Sequence, residues 1–197
     1  MNISSSRISG HILGFLFCCL VIGFTTPCLA QSNWPTTRID DQITIQMPYE
    51  GTLEEGTKLQ GAQRFWTSTS DNEFQVLRVD LRYIPHYNPD LIPTEASLIK
   101  TYERAVKLYN RQVIKGKLVS SGNIVFAGNP ARAALYRGFD DYHQRPINIE
   151  TVWMYHHQAI YLLTCSYAVP EEAGAIQDKK RFFSSVLINF TPITKEL

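Results

Sequence analysis

Residues 31–197 are expected to form one α+β domain, an antiparallel sheet of six to seven strands sandwiched by helices. Three observations predict it. Segments with period-two alternation outnumber segments with helical spacing, and they come as strands, helix, strands, helix. The later strand segments are joined by hairpin-length turns, which implies antiparallel pairing. Each helical segment carries one apolar stripe, as a helix packed on a sheet requires.

The elements follow in order. Residues 31–40 are polar around Trp34-Pro35 and read as a lead-in. Ile43, Ile45 and Met47 alternate with Thr44 and Gln46, a strand that Pro48 stops. Gly51, Gly56 and Gly61 mark turns around a weak extended segment, and 62–69 reads as a strand carrying Phe65 and Trp66. Residues 74–84 place Leu77, Val79, Leu81 and Tyr83 on one face and Arg78, Asp80 and Arg82 on the other. This predicts a strand with one wet side. A stiff loop with Pro85, Pro89 and Pro93 leads to Thr94, whose hydroxyl can cap a helix over 94–115. Leu98, Tyr102, Ala105, Tyr109 and Val113 form its stripe, and Gly116 is expected to end it.

Four strands are predicted next. The first, 117–127, has a bulge or turn at Gly122-Asn123, and 131–139 follows the tight turn Gly128-Asn129-Pro130. The strand 147–156 alternates, and 159–168 is nearly all apolar, as a central strand would be. Pro170-Glu171-Glu172 opens a last helix, with Phe182, Phe183, Val186 and Leu187 as its buried face.

Residues 1–30 read as a cleavable signal peptide. Arg7 precedes an apolar run of about 13 residues, Ile12–Phe24, where a membrane span needs roughly 20. Pro27 ends it, and the small residues Cys28 and Ala30 suit cleavage before Gln31. The alternatives are an uncleaved anchor and a lipoprotein. Export to the periplasm or outside the cell is expected, with no membrane span after cleavage.

Composition excludes several function classes. The apolar fraction of 44% and aromatic fraction of 12% argue against disorder. The chain has 19 basic and 18 acidic residues, and losing Arg7 makes the balance even. No basic run occurs beyond Lys179-Lys180-Arg181, so nucleic-acid binding is not expected. Cys165 alone of four cysteines lies beyond residue 30, so no internal disulfide and no thiolate zinc site is expected.

This order of elements resembles the PsbP-like superfamily of exported α-β-α sandwich domains. The likeness is carried by Ile43-Thr44-Ile45-Gln46-Met47-Pro48, by Gly128-Asn129-Pro130-Ala131, and by the hairpin from Trp153 through Cys165. It is carried also by Pro170-Glu171-Glu172 before Phe182-Phe183-Ser184-Ser185-Val186-Leu187. It covers most of residues 40–190 and departs at 85–93. The resemblance implies a non-enzymatic domain that binds or assists other proteins. It fixes no catalytic or ligand residue.

Candidate sites are few. Cys165 lies in an apolar strand and reads as core. His156 and His157 are adjacent, and on a strand they point to opposite faces, so they could share a metal only if the turn bends them together; an exposed turn and no metal site are expected. No nucleophile elbow, P-loop or dinucleotide fingerprint occurs. No catalytic residue and no cofactor is therefore predicted. The loops 84–93 and 139–146 supply the candidate interaction surface: His86, Tyr87, Phe139, Asp140, Asp141, Tyr142, His143 and Arg145. The predicted function is an exported, non-catalytic accessory protein whose partner is another envelope or secreted protein. One alternative is a small-ligand binder or hydrolase with a pocket between sheet and helix gathering His86, Asp140 and His143. Another is a structural component of the cell envelope.

Overall fold

Asn129–Asp140, Arg145–His156 and Ala159–Ala168 are three long strands joined by tight turns, and the sheet is built outward from them. The computed structural model describes residues 33–54 and 60–189, so the predicted signal segment lies outside the described residues. The strands are β1 (Thr36–Arg38), β2 (Ile43–Gln46), β3 (Thr52–Glu54), β4 (Ala62–Ser68) and β5 (Asn72–Asp80). After helix α1 (Glu95–Tyr109) come β6 (Lys117–Phe126), β7 (Asn129–Asp140), β8 (Arg145–His156) and β9 (Ala159–Ala168). Helix α2 (Ala173–Ser184) and β10 (Leu187–Ile188) close the described chain. Seven strands pair antiparallel in the order β3-β4-β5-β9-β8-β7-β6. A separate three-stranded sheet runs β1-β2-β10. The predicted α+β class holds, with the first strand in this smaller sheet and not in the main one.

Each face of the large sheet is covered by different elements. On one face, Phe74, Val76, Tyr161, Leu163 and Cys165 pack against Trp34, Ile45 and Met47 and against Phe182 of α2. Phe74 sits centrally, with ring centroids 5.4 Å from Trp34 and 5.0 Å from Phe182. On the other face, α1 lays Val106 and Tyr109 over Ala134, Tyr136, Ile149 and Trp153. Buried hydroxyls there find partners: Tyr136 Oη donates to the Val106 carbonyl (3.2 Å), and Tyr102 Oη accepts from the Tyr155 amide (2.7 Å). A buried hydroxyl without a partner would cost on the order of 1–3 kcal/mol.

Several local expectations are corrected. The lead-in 31–40 contains β1 and buries Trp34 and Ile39, because these residues cap the first core. The helix predicted over 94–115 is capped by Thr94 as expected, its hydroxyl accepting from the Ser97 amide at 3.3 Å. It then loosens into a π-helical turn, Asn110–Ile114, which leaves Val113 exposed. Lys115, with φ of 53°, makes the left-handed stop assigned to Gly116. Gly116 is needed for a different reason: a Cβ there would overlap the Arg137 carbonyl oxygen of β7. The irregularity in β6 lies between Leu118 and Ser120, while Gly122 and Asn123 pair in register with Ala133 and Arg132. Helix α2 starts at Ala173, past Pro170, and Leu187 belongs to β10 and faces solvent.

The largest correction is the facing of β5. Phe74, Val76 and Asp80 are buried, together with Asn72, so the even-numbered residues face the core and the odd-numbered Leu77 and Val79 are half-buried. Both faces of β5 are in use, and apolar residues of both parities are the trace of it.

Gly116→Ala is expected to destabilise the fold by about 1–3 kcal/mol, since neither backbone can yield without strain. Gly174→Ala, in the first turn of α2 with open space around it, is expected to stabilise by about 0.5–1 kcal/mol. Thermal unfolding of the two variants beside the parent checks both signs.

Candidate functional site

The register separates the two ends of the sheet. Asn72 pairs with Tyr167 and Asn148 with Tyr167, so the β4–β5 and β7–β8 turns share one end. Asp80 pairs with Ala159 and Ala159 with His156, so the β8–β9 turn and the chain leaving β5 share the other. Each end opens into a concavity.

At the first end the β7–β8 turn is held rigid by Asp140. Its Oδ1 accepts from the Tyr142 amide (3.0 Å) and the His143 amide (3.1 Å). Its Oδ2 meets His143 Nδ1 at 2.6 Å, with Arg145 Nε at 3.8 Å. Gln144 takes φ of 52° and donates from Nε2 to the Asp141 carbonyl at 2.5 Å. Burial alone would raise the Asp140 carboxyl, but the His143 side chain and the two amides outweigh it and hold it below the usual range. The rigid turn carries two exposed aromatics, Phe139 at 54% and Tyr142 at 89% exposure. Tyr142 stacks edge-on to His143 with centroids 4.7 Å apart. Between this turn and Ser68–Asn72 lies a concavity of about 650 Å³ with Ile147, Ser166 and Tyr167 along its floor.

At the second end the charges of β5 meet the N-terminal segment. Arg78 Nε donates to Asp40 Oδ2 at 2.6 Å, and its Nη2 donates to Asp80 Oδ2 at 3.2 Å. Arg82 holds Asp80 by two bonds, Nε to Oδ1 (2.9 Å) and Nη2 to Oδ2 (2.6 Å). Tyr161 Oη donates to Asp40 Oδ2 at 2.5 Å, while Asp40 Oδ1 accepts from the Gln42 and Ile43 amides, each at 2.9 Å. The side chains of Arg78 and Asp80 are only 16% and 5% exposed. Sequence alternation reads Arg78, Asp80 and Arg82 as a wet face; the structure buries Arg78 and Asp80 against the Asp40 turn and leaves Arg82 exposed. Phe74 and Val76, in phase with Arg78, are the signal that pointed there. The network lines a crevice of about 750 Å³ that also includes Gly61, Tyr83 and Gln158. Every charge in it is matched, as a structural clasp requires.

The predicted interaction surface is thereby divided. Phe139, Asp140, Asp141, Tyr142, His143 and Arg145 gather at the first end. His86 is exposed in the loop beyond β5, and Tyr87 lies half-buried beside Tyr155 at the second end. No pocket gathers His86 with Asp140 and His143, because the length of the sheet lies between them. The rings of His156 and His157 do approach, at 4.5 Å, because the turn at His157 and Gln158 bends the chain back with positive φ. Among the described residues no group of three or more His, Cys, Asp or Glu side chains is placed to hold a metal ion. Cys165 is fully buried, and burial pushes its thiol strongly up, so it stays protonated. Among the described residues no helix is long and apolar enough to cross a membrane.

The clasp gives the fold an acid limit. The hydrogen bonds from Arg82 lower the Asp80 carboxyl from 3.8 to about 2. An acid whose folded pKa lies below its unfolded one stabilises the fold above the unfolded value, and the contribution is lost as pH falls through the folded value. Unfolding free energy is therefore expected to drop between about pH 4 and about pH 2, by ~2 kcal/mol from this group. Asp80→Asn should lower stability at pH 7 and flatten that part of the profile, read by urea unfolding across the range.

No protein-family profile matches the chain, and no curated protein matches it. Among solved structures, cyanobacterial PsbP (CyanoP) of Synechocystis aligns over 80% of this chain and 93% of its own, at 11% identity and TM-score 0.49. A Pseudomonas aeruginosa protein of unknown function aligns over 75% and 92%, at 13% identity and TM-score 0.43. LpqN, involved in cell envelope biogenesis of Mycobacterium tuberculosis, aligns over 80% and 79%, at 10% identity and TM-score 0.36. The chain has a loose structural resemblance to the PsbP-like fold, and the likeness is one of fold alone.

Proposed function

We propose that this chain is an exported, non-catalytic accessory protein that binds another envelope or secreted protein through the β7–β8 hairpin tip. The observation that carries the reading is the exposed pair Phe139 and Tyr142, held on a turn that Asp140 has already ordered. Aromatic anchors dominate the binding energy of protein interfaces. A turn rigid before contact loses little conformational entropy on binding. Arg145 and His143 beside the aromatics add polar contacts at the rim. Export rests on the signal-like segment before Gln31.

The chemistry of the tip also supports binding over catalysis. Asp140 is held ionised and spends its lone pairs on its own turn, so it is poorly placed to accept a proton from a substrate. The thiol of Cys165 is buried and protonated, which removes its nucleophilic form.

Crosslinking and pull-down from the native envelope fraction test the reading. The paired substitution Phe139→Ala with Tyr142→Ala is expected to reduce the recovered partner by about 30-fold or more, as for loss of interface hot spots. Melting temperature should hold, because both side chains are exposed. Unchanged recovery with the fold intact would remove the hairpin tip as the binding site.

A further inference from the structure

The two edges of the large sheet are built differently. Edge β3 has three residues and ends at Glu54, which is ion-paired to Arg64 at 3.1 Å. Edge β6 has ten residues, Lys117–Phe126, and is exposed almost throughout. From Leu118 to Phe126 it has no charged residue and no proline. About half of its backbone N–H and C=O groups point away from β7, as in any antiparallel edge. Folded proteins normally blunt such an edge with charges, prolines or short length. The shift between Leu118 and Ser120 disturbs only one end of this one.

The edge is also self-complementary about Gly122. Ser121 and Asn123 flank the glycine, Ser120 and Ile124 come next, and Val119 and Val125 after them. Ser121, Gly122 and Asn123 make a polar centre, and Val119 and Val125 lie in the arms, with Val125 80% exposed. A Cβ on Gly122 would meet nothing, so the midpoint is open to a close neighbour. Charge is compatible as well. The guanidinium behind the edge, Arg132, holds Ser121 (3.0 Å) and Asn123 (2.7 Å) and is neutralised by Glu103 at 3.3 Å. Lys117 falls outside the central stretch.

We infer that β6 pairs with β6 of a second copy, antiparallel across a two-fold axis at Gly122, so that one sheet runs through both molecules. From Ser120 to Ile124 this register keeps the faces of the two sheets aligned, since residues directly opposite have the same parity. It sets Ser121 against Asn123 of the second copy, and Ser120 against Ile124, within the stretch that pairs regularly with β7. The stretch from Leu118 to Phe126 carries no charge, so no like charges face each other across it. An edge of ten residues is about 33 Å long. Such a contact falls at the small end of specific interfaces, so a concentration-dependent dimer follows. The hairpin tip lies at the end of the sheet, so the dimer leaves it open.

Sedimentation of the purified protein from about 1 to about 200 µM reads the equilibrium. A monomer–dimer transition is expected in that range. Gly122→Cys puts two thiols face to face on the axis, within the Cα separation a disulfide tolerates, and mild oxidation should link the copies. Val125→Cys should link far more slowly, and buried Cys165 does not compete. Gly122→Lys sets two ammonium groups against each other and should weaken the dimer at least tenfold without lowering the melting temperature of the monomer. A monomer at every concentration overturns the inference. So does equal crosslinking from both cysteine positions, or a dimer indifferent to Gly122→Lys.

Discussion

Everything in this fold depends on a sheet whose middle strands are buried on both faces. Strand β9 has buried residues along nearly its whole length, with Tyr161, Leu163 and Cys165 on one side and Leu162 and Thr164 on the other. Such a strand cannot alternate apolar with polar, and it must find cover twice. Two unrelated elements supply that cover. Helix α1 takes one face, and the small sheet with α2 takes the other. Phe182→Ala would open a cavity where those two layers meet at Phe74, and losses of about 3–5 kcal/mol are usual for a buried phenylalanine.

Double coverage explains where the charges went. The turn before β2 sits against the C-terminal end of β5, where Asp40 bonds Arg78, so Arg78 and Asp80 lose most of their exposure along with their apolar neighbours. Leaving either charge unpaired there would be costly, and the turn around Asp40 supplies the match. Asp40 does three things at once. It closes its own turn through the Gln42 and Ile43 amides, holds Arg78 of β5, and receives the Tyr161 hydroxyl of β9. The N-terminal segment is thus tied to two neighbouring strands by one carboxylate. Removing one partner of such a pair leaves an uncompensated buried charge, which is why each member of this network has its match.

Much of the fold was legible because the signals were local. The apolar run of β9, the Thr94 cap and the apolar stripe of α1 each depend on residues close in sequence, whereas β8 buries Val152, Met154 and His156 as well as Ile149, so its alternation marked neither face as wet. What failed to show depends on partners far away. In β5 the stripe of Leu77 and Val79 competes with that of Phe74 and Val76, and the distant Asp40 turn supplies the partner that lets Arg78 point inward with the second. Gly116 sits where a helix-ending glycine is expected, while its real constraint is the backbone of β7 at Arg137. The hairpin tip was legible as a cluster: Phe139, Asp140, Tyr142, His143 and Arg145 are contiguous, and one turn suffices to gather them. His86 and Tyr87 could be joined to it only by assuming a topology, and the antiparallel order of β5 and β9 sends them to the other end.

The two proposed contacts use different parts of the sheet for different physical work. A turn at the end of a hairpin carries few obligations to the core, so its side chains are free to recognise a partner. That freedom is useful only if the turn is already ordered, and the Asp140 carboxylate orders it with bonds made entirely within the turn. An edge strand is the opposite case. Its side chains are half committed to the sheet, and what it offers is a row of backbone groups with no sequence preference of their own. Specificity at an edge must then come from pattern, from where the charges are absent and where the small residue lies. In β6 both features centre on Gly122, and this is why a strand with so little side-chain chemistry can still choose its partner.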